Sequence, residues 1–207
     1  MWWSFEANEG DAIPDASGNG FTAACVGAAQ FARGRSGRAL KLDGKTYLRV
    51  EGGGAFNPKS LTIAAWINPE KVNARRGIVV KRTGNTEAPF VFGLSEGALR
   101  FEGLGTSGSF WPFNFSGPPV AADRWTHVAV TVEGGKRLTL FVDGKPAAMK
   151  DITEDPKPNN EPIVIGREAW GGEEGPQAAA FFQGLMDEVK LWKRALTPEE
   201  VAAEAGG

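Results

Sequence analysis

The sequence predicts an all-β sandwich of two antiparallel sheets that ends in one short helix. Short segments of alternating or continuous apolar residues recur along the chain, with turn residues between them. The 28 glycines are spread at turn spacing without a repeating period. Residues 125–149 give three consecutive strands around Gly134-Gly135 and Asp143-Gly144, pairs that suit two-residue hairpin turns.

The stretch from Trp125 to Met149 is predicted to form the centre of the sandwich. Val128, Val130 and Val132 point to one face of its first strand, and the opposite face is also largely apolar. A strand that is apolar on both faces usually lies inside a sandwich, with a second sheet on one side and a cover on the other. His127 is the only histidine, and we expect it to have a hydrogen-bonded structural role here.

The other elements follow from the same patterns. Strands are predicted at residues 2–5, 21–26, 39–42, 47–50, 61–67, 77–81, 90–94, 99–102, 163–166 and 181–192. Loops are predicted at residues 6–20, 30–38, 103–119, 152–161 and 167–176. A helix is predicted at residues 199–205, because Thr197-Pro198-Glu199-Glu200 combines a capping residue with a helix-starting proline. No internal repeat or long linker divides the chain, so one domain, residues 1–207, is predicted.

Charge and apolar content exclude two kinds of partner. The formal net charge of -2 provides no basic field for nucleic acid or an anionic membrane. No apolar run approaches the roughly 20 residues that cross a bilayer, so membrane insertion is not expected. Cys25 is the only cysteine and cannot form an intrachain disulfide. The chain begins Met-Trp-Trp without a basic and apolar leader, which we interpret as a domain cut from a longer precursor, with a cytosolic protein as the alternative.

Two predicted loops carry aromatic residues that could stack on sugar rings. Trp111 and Trp170 each lie in a glycine-rich loop, where an exposed aromatic ring is costly unless it binds a ligand or folds back. Phe113 and Arg167 are predicted to add contacts to the same ligand. The alternative is that residues 110–115 form an extra edge strand folded onto the core. The tryptophans inside apolar strands are predicted to be core residues: Trp3, Trp66, Trp125 and Trp192.

No pair of carboxylates in the sequence suits glycoside hydrolysis. A retaining glycosidase needs two carboxylates about 5–5.5 Å apart, which on one strand means alternate positions. No Glu-x-Asp-x-Glu run occurs, and the neighbouring Asp187 and Glu188 are expected to point to opposite faces. We therefore predict no catalytic residue and no enzymatic activity.

Four stretches, in order, resemble the laminin-G-like or concanavalin-A-like jelly roll, and specifically its bacterial LamG-like branch. They are WSFEANEGDAIPDASGNG, GRSGRALKLDG, RWTHVAVTVEGGKRLTLFVDGKPA and FQGLMDEVKLWKRALTPEEV. The resemblance implies two curved antiparallel sheets packed face to face, with the N- and C-terminal strands paired. It says less about function, because this fold carries lectins, adhesion modules, pentraxin-like proteins and glycanases.

The loop at residues 6–20 offers oxygen ligands for a calcium ion. Asp15 and Asn19 lie within one tight turn region, and Ca²⁺ takes six to eight oxygen ligands. In the resembled family this loop meets the penultimate strand, where Asp187 would supply a further carboxylate. A structural Ca²⁺ held by Asp15, Asn19 and Asp187 is therefore predicted. The alternative is that Asp15 and Asn19 only cap turns through hydrogen bonds to the backbone.

The sequence thus predicts a non-catalytic carbohydrate-binding module of a larger secreted or cell-surface protein. A polysaccharide or other glycan would be its ligand, bound by loops at the rim of the sandwich. The first alternative is a protein-interaction or adhesion module that binds no glycan. A glycan-active enzyme with an unfamiliar carboxylate geometry is the more distant alternative.

Overall fold

The computed structural model describes residues 1–83, 87–110, 112–168 and 180–206, and in these residues short strands build two large antiparallel sheets. The strands, in chain order, are β1 (Trp2–Trp3), β2 (Ala12–Ile13), β3 (Ala23–Val26), β4 (Gln30–Arg33), β5 (Arg38–Asp43), β6 (Tyr47–Val50), β7 (Leu61–Pro69), β8 (Arg76–Thr83), β9 (Glu87–Ser95), β10 (Ala98–Glu102), β11 (Phe115–Pro119), β12 (Thr126–Glu133), β13 (Arg137–Val142), β14 (Lys145–Asp151), β15 (Ile163–Ile165), β16 (Arg167–Glu168), β17 (Ala180–Phe181) and β18 (Gln183–Trp192). A 3₁₀ turn spans Gly53–Ala55, and one α-helix, α1 (Pro198–Gly206), follows the last strand.

The sheets pair strands that are distant in sequence. The first sheet has the order β14-β13-β12-β7-β18-β5-β4, and β1 also pairs with β18. The second has the order β11-β10-β9-β8-β15-β6-β3-β2, while β16 and β17 form a small sheet of their own. Pairing of β1 with β18 places Trp2 opposite Lys190, so the terminal strands meet as the resemblance implies. The predicted jelly-roll sandwich is confirmed.

The predicted central strands β12 and β13 lie inside the first sheet, and β14 forms its edge. Val128, Val130 and Val132 join the apolar core between the two sheets. The turn at Asp143-Gly144 has φ angles of 49° and 74°, as a two-residue hairpin of this kind requires. The prediction of a buried centre is therefore confirmed for the first two strands of the stretch.

Helix α1 is the cover on the outer face of the first sheet. Its Val201 packs with Leu196, Ala129 and Phe141 in a separate apolar cluster. Thr197 Oγ1 accepts a hydrogen bond from the Glu200 N–H, and the Glu200 carboxylate accepts one from the Thr197 N–H, so the predicted capping residues close the helix start reciprocally. No helix in the described ranges is long and apolar enough to span a membrane.

The structure corrects four predicted loops and two predicted core residues. Strand β2 lies within the predicted loop at residues 6–20, and β16 lies within the predicted loop at residues 167–176. Strand β4 lies within residues 30–38, and β11 lies within residues 103–119 at the edge of the second sheet. Two prolines in β11 fit an edge position, where a missing N–H leaves no partner unpaired. Trp3 and Trp66 are buried as predicted, whereas Trp125 and Trp192 are only half-buried. Backbone pairing, which side-chain pattern does not report, made these strands hard to predict.

His127 is buried under this cover, with 2% of its surface exposed. Its ring centroid lies 5.4 Å from that of Trp66 in an edge-to-face arrangement. Its Nδ1 atom is buried without a hydrogen-bond partner in the described part of the chain, so the predicted hydrogen-bonded role does not extend to this nitrogen. Burial lowers the pKa of His127 to about 4, against the opposing charges of Glu204 and Asp143.

We expect this histidine to make the protein less stable in mild acid. His127 binds a proton near pH 6.5 in the unfolded chain but only near pH 4 in the folded chain. Its contribution to the free energy of unfolding is therefore fully present above pH 6.5 and is lost as the pH falls toward 4. The loss at pH 5 relative to pH 7 is about 2 kcal/mol. Urea unfolding at both pH values measures it, and His127→Gln is the control that should remove this difference. An equal loss in the variant would contradict the assignment.

Candidate functional site

The outer face of the second sheet carries a group of charged side chains. In β10, Leu99 and Phe101 point into the core, so Arg100 and Glu102 point to the outer face. Arg82 lies near the end of β8, two strands away in the sheet. Both arginines and Glu102 are nevertheless largely buried.

Strand β16 crosses directly over this outer face at Gly77. A Cβ atom at position 77 would lie 2.4 Å from the carbonyl carbon of Arg167 and 2.5 Å from the Glu168 nitrogen. Glycine is therefore required for the close approach of the two backbones. Because the two backbones lie this close, the fully buried Glu168 contacts Arg82 of β8 and Arg100 of β10.

Together Arg75, Arg82, Arg100, Glu102 and Glu168 form an arginine–glutamate cluster. Glu168 Oε1 lies 3.1 Å from the Arg75 guanidinium and 3.3 Å from that of Arg82, and Oε2 lies 2.8 Å from that of Arg100. Glu102 contacts the same three arginines: its Oε1 is 3.2 Å from Arg82, its Oε2 is 3.5 Å from Arg75, and it pairs closely with Arg100. Each glutamate thus contacts every arginine of the cluster.

Burial makes the members of this cluster depend on one another. Burial lowers the pKa of Arg82, and the carboxylates of Glu102 and Glu168 oppose that shift. Buried ion pairs contribute little net stability over an apolar core, but removing one partner leaves a buried charge without compensation. Arg75 is the most exposed member, with 37% of its side chain accessible. A ligand on this face would therefore reach Arg75 first.

Aromatic rings lie against arginines of this face. The Arg82 guanidinium lies 5.6 Å from the ring centroid of the half-buried Phe110. The guanidinium of Arg167, the residue before Glu168, lies 4.8 Å from the ring of Tyr47 and 5.3 Å from that of Phe181. These distances are those of cation–π contacts. The face therefore combines rigid guanidinium groups with aromatic surface.

The two glutamates are not arranged for acid–base catalysis. Both oxygens of each carboxylate contact arginine side chains. A glycosidase pair instead needs one carboxyl group that donates a proton to the substrate and one carboxylate that faces the sugar ring or a water. The cluster is suited to holding its arginines in a defined orientation.

The predicted ligand contacts have different positions. Trp111 and Trp170 lie outside the described residues. Phe113 is fully buried in the core, where its ring centroid is 6.3 Å from that of Phe101, so the predicted ligand contact of Phe113 is corrected. Arg167 is also buried, with 6% of its surface exposed, and it packs on the aromatic rings beside the cluster. Phe110 and Glu168 both contact Arg82 of the cluster, whereas Phe113 points inward.

The predicted metal ligands bond to groups of the protein itself. The Asp15 carboxylate accepts hydrogen bonds from the N–H groups of Trp2, Ser17 and Phe21 and from the Ser17 hydroxyl. Burial acts to raise the pKa of Asp15, but these hydrogen bonds outweigh it and the pKa is lowered. Asn19 donates to Ser17 Oγ at 2.8 Å. These contacts are the turn-capping alternative that the sequence left open.

Asp187 lies at a different place, under the loop at residues 33–38. Its Oδ2 accepts a hydrogen bond from the Ser36 N–H at 3.0 Å, and its Oδ1 accepts one from the Glu188 N–H at 2.8 Å. Burial raises the pKa of Asp187 to about 6. Among the described residues, no three His, Cys, Asp or Glu side chains could hold a metal ion together. N–H groups of the protein thus donate to both carboxylates, and the calcium site stays a prediction.

Sequence reasoning missed most of the cluster. Arg100 and Glu102 alternate with Leu99 and Phe101, so opposite charges on the outward positions of an otherwise buried strand were the available signal. Glu168 gave no local signal, because its partner Arg100 is 68 residues away in sequence. The carboxylate and the guanidinium groups meet only when β16 crosses β8.

The sequence of this chain matches a known protein family. Residues 42–202 match the family model of the concanavalin A-like lectin/glucanases superfamily. Over 95 residues the chain is 33% identical to human adhesion G-protein coupled receptor D1, a match that covers 44% of this chain and 10% of the receptor. The chain therefore corresponds to a small part of that relative.

Solved structures similar to this chain are mainly binding domains. Domain 4 of AbnA, a GH43 extracellular arabinanase from Geobacillus stearothermophilus solved with arabinotriose, has a TM-score of 0.76 and 21% identity, with 99% of this chain and 96% of that chain covered. The binding domain of Paraclostridial Mosquitocidal Protein 1 has a TM-score of 0.72 and 20% identity, with 96% of this chain and 50% of that chain covered. At these identities, the likeness shows a shared fold.

Proposed function

Because the chain belongs to the concanavalin A-like lectin/glucanase superfamily, we propose that it is a non-catalytic carbohydrate-binding module. Its glycan contacts would lie on the outer face of the second sheet, over the arginine–glutamate cluster. The observation that carries this proposal is the cluster itself, in which two buried glutamates orient three arginines beside aromatic rings. A similarly folded domain of an arabinanase was solved with arabinotriose, which supports a sugar as the ligand class.

The cluster supports recognition because Arg75, its exposed member, is already held in place by Glu102 and Glu168. A guanidinium group presents several N–H donors in one plane, and the glutamates restrict the rotation of all three arginines. Donors already held in place cost less side-chain entropy when a hydroxyl-rich ligand binds. Phe110 adds aromatic surface on which the C–H face of a sugar ring could stack. Polar donors beside an aromatic wall are what such a ligand requires.

The same contacts support binding without catalysis. Arginines contact all four oxygens of Glu102 and Glu168, so neither carboxylate is presented to a glycosidic bond. A location outside the cell, in a larger secreted or surface protein, belongs to this proposal. It is supported by the extracellular arabinanase and the adhesion receptor among the similar proteins.

We expect Phe110→Ala to weaken glycan binding about tenfold, which corresponds to the loss of one stacking contact. Affinity electrophoresis in gels containing neutral and acidic polysaccharides measures the effect. Phe31→Ala is a matched control, because Phe31 is also half-buried and lies 4.1 Å from an arginine, Arg38, but belongs to the first sheet. Equal retardation of the two variants in every gel, or no retardation of the unmodified protein, would contradict the proposal.

Protein binding is the second candidate function. An open groove of about 560 Å³ lies on the outer face of the first sheet, lined by Thr131, Arg137, Met149 and Arg194 among others. Met149 is 63% exposed, which is unusual for a large apolar side chain. The similarity to an adhesion receptor favours a protein partner at such a surface. Partner capture that is lost in Met149→Ser and retained in Phe110→Ala would favour this candidate.

A further inference from the structure

A pocket separate from the groove around Met149 also lies on the outer face of the first sheet. This face is on the opposite side of the sandwich from the arginine–glutamate cluster. The pocket has a volume of about 420 Å³ and is lined by Trp2, Ser17, Asn19, Lys190, Trp192 and Glu204 among others. Its size falls within the range of roughly 300–1,000 Å³ typical of ligand pockets. Nothing in the arginine–glutamate cluster contributes to it.

Strand pairing brings two tryptophans to this pocket. Trp2 of β1 lies opposite Lys190 of β18, and Trp192 follows two positions later on the same strand. Alternate residues of a strand point to the same face, so the two indole rings flank the Lys190 side chain. Both tryptophans are only half-buried. Trp192 rests on the apolar cluster beneath α1, which supports it from behind.

The orientation of Trp2 is set by hydrogen bonding. Its Nε1 donates to Glu188 Oε2 at 2.8 Å, and its backbone N–H donates to Asp15 Oδ1, also at 2.8 Å. The Lys190 ammonium lies 4.8 Å from the Trp2 ring centroid. A ring restrained in this way offers apolar surface without losing much freedom when a ligand binds.

Charge in the pocket is compensated by its own walls. Lys190 Nζ lies 2.8 Å from Glu204 Oε2 and 3.1 Å from Glu188 Oε2. The lysine already occupies the place of a cation against Trp2, which disfavours a cationic ligand there. Its two carboxylate partners also disfavour an anionic ligand. The Ser17 hydroxyl donates to Asp15 and Asn19 donates one N–H to Ser17, so the exposed Asn19 amide keeps an oxygen acceptor and a second N–H for a neutral, hydroxylated molecule.

We propose that this pocket is a binding site for a neutral sugar unit of a glycan chain. The C–H face of the sugar packs against Trp192, and its hydroxyls bond to Ser17, Asn19 and the Lys190–Glu204 pair. The site is independent of the arginine–glutamate cluster, because the two lie on different sheets. A glycan chain that occupies this pocket and the site over the cluster would gain affinity by bivalent attachment.

Indole N–H signals in NMR spectra of the full chain provide the test. The probes are three neutral oligosaccharides: cellotetraose, xylotetraose and arabinotriose. We expect at least one of them to shift the signals of Trp2 and Trp192 among those of the seven tryptophans. Each titration extends to about 10 mM, where a Kd in the millimolar range still gives visible occupancy.

Variants decide where the probe binds. Trp192→Ala should weaken the affinity about tenfold and Asn19→Ala about threefold, since each removes one contact. Asn19 is exposed, so its replacement tests the pocket even if Trp192→Ala disturbs packing. Trp125→Ala is the matched control, being a half-buried tryptophan next to the same sheet, and should leave the affinity unchanged. The proposal is overturned if no probe shifts these signals, or if all three variants bind alike.

Discussion

Glu168→Gln is expected to lower the free energy of unfolding by about 3–5 kcal/mol, the cost of breaking a buried ion pair by removing one partner. The carboxylate is fully buried and lies within 3.3 Å of Arg75, Arg82 and Arg100. Glutamine retains the shape and one oxygen acceptor, but it leaves three guanidinium groups facing the single carboxylate of Glu102. Equilibrium urea unfolding measures the loss.

Glu51→Gln is the matched control for this change. Glu51 pairs with Arg49, but its side chain is 73% exposed, so the pair is screened by water. Exposed pairs of this kind contribute at most about 1 kcal/mol. If Glu168→Gln cost no more than Glu51→Gln, the cluster would not be a desolvated network. The interpretation of the outer face would then be wrong.

Phe92→Ala is expected to cost about 3–5 kcal/mol, as large aromatic deletions in packed cores do. Phe92 is fully buried in β9, between Val79 of β8 and Phe101 of β10 in the strand register. Its ring belongs to the core between the two sheets. The deletion leaves a cavity that the neighbouring strands cannot close, because both are paired on their other sides as well.

Phe115→Ala provides the comparison for the core deletion. Phe115 also packs against the core, but it is half-buried and lies in the edge strand β11. Its loss should cost at most about 2 kcal/mol, because an edge strand can relax toward the remaining side chains. Chemical unfolding followed by tryptophan fluorescence gives both values. Equal costs for the two deletions would show that the second sheet is not buried as described.

Much of the fold was predictable because its signals are local. Alternation of Val128, Val130 and Val132 identified β12, and the turn residues at 143–144 identified the hairpin that follows β13. The capping residues before α1 predicted the helix within one residue of each end. Strand β4 was missed because it is defined by backbone pairing with β5, and its side chains show no clear alternation.

Less of the candidate site was predictable, because distant segments build it. The crossing of β16 over Gly77 decides where Glu168 lies, and no local pattern reports that contact. The contact between Asp187 and the loop at residues 33–38 was equally unpredictable. Asp187 accepts a hydrogen bond from the N–H of Ser36, which is 151 residues away in sequence. Half-burial of Trp192 likewise depends on distant segments, because this residue pairs with Thr62 of β7 and packs against the apolar cluster under α1. Patterns identify strands, whereas sheet topology decides which charges meet.

Glycan recognition by the outer face of the second sheet is tested most directly by amide chemical-shift mapping with a glycan that binds. Titration of the isotope-labelled chain should move the signals of residues 75–82, 100–102, 110 and 167–168. A glycan that binds while leaving all of these signals in place would contradict it.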